Sequence, residues 1–189
     1  MRNSIFEISG NGNTLYGFKN EDIYPESIII PDNIKSIGNW AFLNCKDLKT
    51  VIMFNNISHI GSGVFTECKN LKEIKMPNNI LYIGPYAFFE CKSIENINIP
   101  SGVRIINKGT FMNCINLKNI TLSDNIECIC KQAFSGCKNL ENITIPNNVK
   151  YIKEFAFEDC ISLKQVIISK NNINIDKYAF PNNCEIIYK

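Results

Sequence analysis

The sequence holds few of the residues from which metal, catalytic and nucleic-acid sites are built. His59 is the single histidine among 189 residues, which excludes a metal site made of several histidines and leaves one candidate histidine base. The formal net charge is only +2, from 20 basic and 18 acidic residues, and this balance argues against nucleic-acid binding. No stretch approaches ~18 consecutive apolar residues, so we expect no membrane insertion.

The amino-terminal residues also lack the features of a signal peptide. One positive charge is present, but no apolar run and no small-residue cleavage site follow it. We therefore expect a chain that is intracellular or that has lost its targeting segment. The compartment stays open at this point.

Asparagine and isoleucine are abundant, with 28 and 33 residues. Asn favours turns over helix interiors, and Ile favours strands. This composition predicts short strands joined by tight turns.

Three residue types recur at intervals of 23 residues. Phenylalanine occurs at Phe42, Phe65, Phe88, Phe111, Phe134, Phe157 and Phe180. Isoleucine occurs at Ile37, Ile60, Ile83, Ile106, Ile129, Ile152 and Ile175. Cysteine occurs at Cys45, Cys68, Cys91, Cys114, Cys137 and Cys160, with Cys184 one residue late. The period predicts a solenoid of about seven rungs, because one rung cannot bury its apolar side chains alone.

Each unit contains the spacing L-x-x-I-x-I, as in Leu71, Ile74 and Met76. The last two positions are two residues apart and predict a strand with one buried face. A turn follows, and its third residue is expected to be left-handed because Asn and Gly tolerate positive φ. These turn residues are Asn33, Asn56, Asn79, Gly102, Asn125 and Asn148.

We expect a single domain in two parts. Residues 1–22 predict an N-terminal capping hairpin, with Gly10 to Asn13 as its turn. Residues 23–189 predict the solenoid, which ends on an uncapped strand at 185–189. We expect a monomer, or weak end-to-end self-association through this uncapped edge.

The unit resembles the BspA-like (Treponema pallidum-type) leucine-rich repeat, L-x-x-I-x-I-P-x-x-V-x-x-I-G-x-x-A-F-x-x-C, over about residues 28–184. Phe54, Ser123 and Ser169 replace the proline, and Cys130 is among the residues that replace the glycine. The resemblance implies an α/β solenoid that is a curved right-handed superhelix, with the parallel sheet concave and short strands, 3-10 or helical turns on the convex face. It also implies a non-catalytic role in protein binding, including adhesion at the cell surface.

The repeated cysteines are expected to be free thiols in the core, where Cys behaves as a small hydrophobe. Metal binding needs clustered ligands, and only Cys128 and Cys130 come close to one another in sequence. We expect no metal and no cofactor.

The outward residues of the predicted strands are the candidate partner-binding site on the concave face. They combine an Asn/Thr centre with apolar flanks, which suits a protein or peptide partner. The alternative is a solvated face whose ladders stabilise the stack itself. The site residues are Thr50, Ile52, Phe54, Glu73, Lys75, Asn96, Asn98, Asn119, Thr121, Asn142, Thr144, Gln165 and Ile167.

Two further rows follow the same period. The return strip is defined as the residues just before the repeated isoleucine: Ser36, His59, Tyr82, Ile105, Cys128, Tyr151 and Asn174. We expect its side chains to pack under neighbouring loops, with an exposed apolar band as the alternative. A lysine row is expected to be solvated or to meet an acidic partner: Lys46, Lys69, Lys92 and Lys138.

The sequence thus predicts a non-enzymatic protein-interaction module, with surface adhesion as a finer role. A structural scaffold assembled end to end is the first alternative. An enzyme using His59 or the Cys128 and Cys130 thiols is the second. The partner's identity does not follow from the sequence.

Overall fold

A computed structural model describes residues 5–20, 25–168 and 173–188. These residues form seventeen short β-strands joined by turns, and none of them belongs to a helix. The described ranges accordingly hold no helix long and apolar enough to cross a membrane.

Eight strands form the long-strand ladder, in which each strand after the first lies one rung further along the stack. They pair in parallel as three sheets: β3, β5 and β7; β9 and β11; and β13, β15 and β17. Paired residues are 23 apart, as Thr50 and Glu73 are, except at β17, where the spacing is 20. The strands are β3 (Ser27–Ile29), β5 (Thr50–Ile52), β7 (Glu73–Lys75), β9 (Asn96–Asn98), β11 (Asn119–Thr121), β13 (Asn142–Ile145), β15 (Gln165–Ile168) and β17 (Glu185–Tyr188).

The return segments form a second parallel ladder of two-residue strands. In each, the first residue faces outward and the isoleucine is turned toward the core, since successive side chains of a strand point to opposite faces. The strands are β4 (Ser36–Ile37), β6 (His59–Ile60), β8 (Tyr82–Ile83), β10 (Ile105–Ile106), β12 (Cys128–Ile129), β14 (Tyr151–Ile152) and β16 (Asn174–Ile175).

An antiparallel hairpin lies at the amino end of this second ladder. Strand β1 (Phe6–Ile8) pairs with β2 (Thr14–Phe18), and β2 pairs in parallel with β4, so that Leu15 lies beside Ile37. Leu15 and Phe6 are buried against the first rung. The predicted boundary between residues 22 and 23 falls outside the described residues.

A column of phenylalanine rings runs through the core, with one ring from each rung. Successive rings from Phe42 to Phe180 are stacked, with centroids 4.9–5.6 Å apart and planes within 17° of parallel. The six rings from Phe42 to Phe157 are fully buried. Aromatic pairs at such distances stabilise a core beyond their buried area.

The repeated cysteines form a second core column, and all nine cysteines of the chain are free. Each column thiol from Cys68 to Cys160 donates a hydrogen bond to the carbonyl of the phenylalanine 26 residues earlier, as Cys114 Sγ does to Phe88 O over 3.1 Å. Burial raises the pKa of Cys114 and of Cys160 to about 12. These thiols therefore act as structural donors.

The segment around each core phenylalanine is a run of turns. Tyr86 and Glu90 flank Phe88 at a distance of two residues, and both have φ of 57°. The Tyr86 N–H donates to Lys108 O of the next rung over 3.0 Å, whereas the Phe89 N–H closes a turn on Tyr86 O. Left-handed residues four positions apart interrupt any helix within a turn. The predicted short strands are present, whereas the α/β class and the helical turns are not confirmed, because no described residue belongs to a helix.

The third residue of the other turn is not left-handed, contrary to the prediction. Neither the five asparagines nor Gly102 has positive φ. The asparagine amide instead donates to a backbone carbonyl of the preceding rung, as Asn125 Nδ2 does to Ser101 O over 2.8 Å and Asn148 Nδ2 does to Asp124 O over 2.7 Å. Asn is thus favoured here by its side chain.

We predict that Cys114→Ala lowers the free energy of unfolding by about 1–3 kcal/mol. The change removes a buried donor from Phe88 O and leaves a small cavity. Cys184→Ala is the matched control, because Cys184 is only half-buried, and it should change the value by less than about 0.5 kcal/mol. Urea unfolding measures both, and equal losses would contradict a structural role for the column.

We also predict that Gln132→Gly stabilises the protein by about 0.5–1 kcal/mol. Gln132 has φ of 57°, a conformation that costs a non-glycine residue energy, and Gly63 and Gly109 occupy its position in other rungs. Lys138→Gly is the control, since Lys138 does not have positive φ and should lose stability on the same change. Thermal unfolding compares the two, and destabilisation by Gln132→Gly would count against this account.

Candidate functional site

The thirteen predicted site residues lie on one surface, which we call the long-strand face. They alternate with buried residues such as Val51, Ile97 and Ile143, which point into the core. Ten of them are exposed, and Thr50, Ile52 and Ile167 are half-buried. The structure therefore brings the predicted residues together, and their binding role stays a prediction.

Side chains on this face form rows that cross the rungs in register. Asn96 pairs with Asn119, and the Asn119 amide donates to Asn96 Oδ1 over 2.7 Å. Lys75 Nζ lies 3.3 Å from Glu73 Oε1 within one strand, so these two charges neutralise each other. Part of the predicted ladder thus stabilises its own stack.

The centre of the face, by contrast, keeps its hydrogen-bonding groups free. Asn98, Thr121, Asn142 and Thr144 are exposed and make no side-chain hydrogen bond within the described part of the chain. An asparagine amide both donates and accepts, as does a threonine hydroxyl. Four adjacent positions can therefore bond to a molecule that lies on the face.

A shallow cleft lies at the same place, where the ladder is interrupted. Strands β11 and β13 belong to separate sheets. The cleft between them has a volume of about 290 Å³. Between the lining residues Leu122 and Asp124, Ser123 replaces the proline of the repeat. Its buried Oγ makes no hydrogen bond within the described ranges. The lining residues are Ile120, Thr121, Leu122, Asp124, Asn142, Ile143, Thr144 and Pro146.

Apolar side chains flank the polar centre. At the amino-terminal flank, Ile29 is 57% exposed and Phe54 is 45% exposed, and Ile52 lies in register beside Ile29. Ile167 is half-buried at the other flank. A polar centre between apolar flanks is the arrangement that the sequence predicted.

Most of the return strip is exposed, with Ser36 and Cys128 half-buried, so the expectation that it packs under loops is wrong. Tyr82, Ile105 and Tyr151 are each at least 40% exposed, and His59 is exposed as well. The reason is the alternation within each two-residue strand, which turns the isoleucine inward and its predecessor outward. This strip is a second surface on which a partner can be tested.

The lysine row is partly neutralised. Lys69 Nζ lies 3.4 Å from a Glu67 carboxylate oxygen, and Lys92 Nζ lies 3.1 Å from Glu90. Two of the four lysines therefore have an acidic neighbour in their own rung, which weakens the row as a site for an acidic partner.

A charged row beside the return strip was missed in the sequence. Arg104 and Lys150 both bind Glu127, and these contacts lower the pKa of the Glu127 carboxyl. The signal was available, since the three residues are 23 apart and alternate in sign. The row borders an apolar groove of about 280 Å³ whose floor includes Ile105 and Tyr151.

His59 has only a local partner. Its Nδ1 lies 2.8 Å from Ser58 Oγ, and its ring lies 6.1 Å from the Tyr82 ring. No acidic side chain in the described ranges hydrogen-bonds this ring, as a catalytic triad would require. The other predicted candidates for a catalytic role, the Cys128 and Cys130 thiols, lie close to one another.

Cys128 and Cys130 are brought together at the edge of the groove. Their sulfur atoms are 3.7 Å apart, and both side chains are half-buried. The Cys130 thiol, with a smaller contribution from Lys153, lowers the pKa of Cys128 to about 7, against the effects of burial and of Asp176. No cluster of three or more metal-binding side chains occurs among the described residues.

These features define the class of the protein as a leucine-rich-repeat β-solenoid of about seven turns with parallel strands. The sequence model of the family described as the BspA type leucine rich repeat region matches this chain over residues 15–114 and 81–188, in six copies of the repeat. The chain therefore belongs to the BspA-type leucine-rich repeat family. Leucine-rich repeats commonly serve protein–protein interaction and are typically not enzymes.

Solved structures of bacterial repeat proteins share the fold. A leucine-rich repeat protein from Bacteroides ovatus is 28% identical, with a TM-score of 0.69, over 86% of this chain and 55% of that one. The T. pallidum leucine-rich repeat protein has a TM-score of 0.77 at 20% identity, over 94% of this chain and 87% of that one. The chain thus spans about half the length of the Bacteroides protein. A search of curated proteins gave no match.

We predict that alkylation of Cys128 is half-maximal near pH 7. Its thiolate is the reactive form, so the rate should rise about tenfold per pH unit below that value and level off above about pH 8. Burial raises the pKa of Cys184, whose alkylation should still be rising at about pH 9. Brief iodoacetamide treatment and peptide mass spectrometry give both profiles, and a shared midpoint would contradict the prediction.

Proposed function

We propose that the protein is a non-catalytic protein-binding module that holds its partner on the long-strand face. The observation that carries this proposal is the group of four exposed and unbonded polar side chains at the centre of the face. Elsewhere the turn asparagines and many surface charges bond between or within rungs. The four side chains at the centre of the long-strand face, by contrast, are left available to a partner.

The chemistry of the face suits an extended peptide or a protein loop. Neighbouring strands lie about 4.8 Å apart, so amides and hydroxyls recur at a spacing that backbone N–H and C=O groups can meet. The exposed Phe54 and Ile29 offer apolar contact beyond the polar centre. The paired Glu73 and Lys75 leave no excess of one charge for a phosphate group.

The finer parts of this proposal come from the family resemblance. In that picture, the solenoid is a curved right-handed superhelix, and the long-strand face is its concave side. Concave faces of solenoids are large continuous surfaces, which favours their use in binding. A role in adhesion follows if the chain is displayed on a cell surface, and its partner is then a host protein.

A structural scaffold is the second candidate. Strand β17 pairs with β15 on one side, and no other described strand pairs with it. Its outer edge carries backbone groups that a second chain can bond. End-to-end association through this edge is compatible with the binding role, because it leaves the long-strand face open.

The test compares two surfaces with equal changes in charge. Binders are selected from a displayed library of short random peptides with the full chain as bait, and their affinities are measured by calorimetry. Asn98→Glu, Thr121→Glu and Thr144→Glu alter the long-strand face together. Tyr82→Glu, Ile105→Glu and Tyr151→Glu alter the return strip as the matched control.

We predict that the long-strand variant weakens binding at least about tenfold, since it replaces neutral hydrogen-bonding groups with desolvated charges. The return-strip variant should bind within about twofold of the unchanged chain. The opposite pattern would move the site to the return strip and overturn the proposal. Circular dichroism confirms that both variants are folded.

A further inference from the structure

Two cysteines of the fifth rung stand outside the core column. Cys128 lies on the return strip, and Cys130 occupies the position where Gly38, Gly61 and Gly84 stand in earlier rungs. Neither thiol donates to a phenylalanine carbonyl, as the column thiols do. The stacking of the rungs therefore does not require a thiol at either position.

The two thiols face one another at the surface. Cys128 begins strand β12, and Cys130 is the first residue after that strand. The two are two residues apart in extended chain, so their side chains project from the same face. Their sulfur atoms are 3.7 Å apart. Cys130 N–H donates to Ile106 O over 2.9 Å, which holds this end of the strand in place.

A small molecule can reach the pair through the groove beside Cys128. Ile105 and Tyr151 make the groove mostly apolar, and Arg104 and Lys150 border it. Cys128 lines this groove, whereas Cys130 is not among the residues that line it. Cys128 is thus placed to meet a reagent first, and Cys130 is placed to meet Cys128.

We propose that Cys128 and Cys130 form a dithiol that hydroperoxides oxidise reversibly to an intramolecular disulfide, with Cys128 as the attacking sulfur and Cys130 as the resolving one. The inference stands apart from the binding role proposed above. The lowered pKa of Cys128 supports it, since accessible thiols of low pKa beside a second thiol are the ones that peroxides oxidise.

The chemistry is balanced in two steps. The Cys128 thiolate attacks the terminal oxygen of the hydroperoxide, the O–O bond breaks, and Cys128 becomes a sulfenic acid. The alkoxide leaves as an alcohol by taking up the proton that the Cys128 thiol had released. The Cys130 sulfur then attacks the Cys128 sulfur, the S–S bond forms, and hydroxide leaves and takes the Cys130 proton as water. Two thiols lose two electrons in all, and the hydroperoxide is reduced to an alcohol and water.

The geometry allows a disulfide between Cys128 and Cys130 and favours its reduction. Residues two apart on a parallel strand have Cα atoms about 6.6 Å apart, near the upper end of the range that disulfides span. Disulfides near that limit are reduced readily by small thiols. The sulfur atoms already lie 3.7 Å apart, so closure needs only a local rearrangement.

The test treats the full chain with an equimolar amount of hydrogen peroxide and follows its intact mass. We expect a loss of about 2 Da, mapped to Cys128 and Cys130 and reversed by dithiothreitol. Cys130→Ser should instead accumulate a sulfenic acid on Cys128 that dimedone traps. Cys128→Ser should slow oxidation at least about tenfold.

Cys184→Ser is the control, because Cys184 is the other half-buried cysteine, and it should oxidise like the unchanged chain. Thermal unfolding verifies that each variant is folded. The proposal is overturned if Cys128→Ser still loses 2 Da at the original rate. Sulfinic acid on Cys128 with no disulfide would also overturn it, because Cys130 would then not act as the resolving thiol.

Discussion

A rung of this protein can bury its apolar side chains only against the rungs on either side of it. Each rung has one phenylalanine ring in the core column, and rings from Phe42 to Phe180 contact their neighbours above and below at 4.9–5.6 Å. The same neighbours supply hydrogen-bonding partners for the strands and for alternate amides of the turns. Every other feature of the molecule has to be compatible with this stacking.

Stacking at a fixed register places equivalent residues of successive rungs side by side. The sequence satisfies these rows of neighbouring side chains in three ways. Aromatic rings stack in parallel. Asparagine amides donate to the carbonyl of the preceding rung, so a row of identical residues is satisfied without a second residue type. Some charged rows alternate in sign from rung to rung, as Arg104, Glu127 and Lys150 do, whereas Lys69 and Lys92 of the lysine row each pair with a glutamate of their own rung. The asparagine hydrogen bond between rungs accounts for part of the abundance of asparagine.

The period of 23 residues was sufficient to predict the rungs, the buried columns and the face on which each candidate site residue lies. It was insufficient for backbone conformation, because Asn suits both a left-handed turn and a side-chain bond to a neighbouring rung. The left-handed residues proved to lie two positions before and after each phenylalanine from Phe42 to Phe157. Gly63 and Gly109 signal this in the sequence, whereas Tyr86, Glu90 and Gln132 do not. Only a three-dimensional view shows that their N–H groups bond to the next rung. The cleft between β11 and β13 was equally hidden, because the replacement of the repeat's proline by Ser123 does not by itself predict a break in the ladder.

Stacking also distinguishes the core positions that form the scaffold from the exposed positions whose residue type it leaves free to vary. Core positions repeat Phe, Ile and Cys because a neighbouring rung constrains them, whereas the outward residues of the long-strand face vary from Glu73 and Lys75 to Asn96 and Asn98. Variation at exposed positions lets one fold present different chemistry from rung to rung. The Cys128 and Cys130 pair is the sharpest such departure, because two thiols appear where the other rungs have none. A regular repeat therefore makes its own functional candidates visible, as local exceptions that the core does not require.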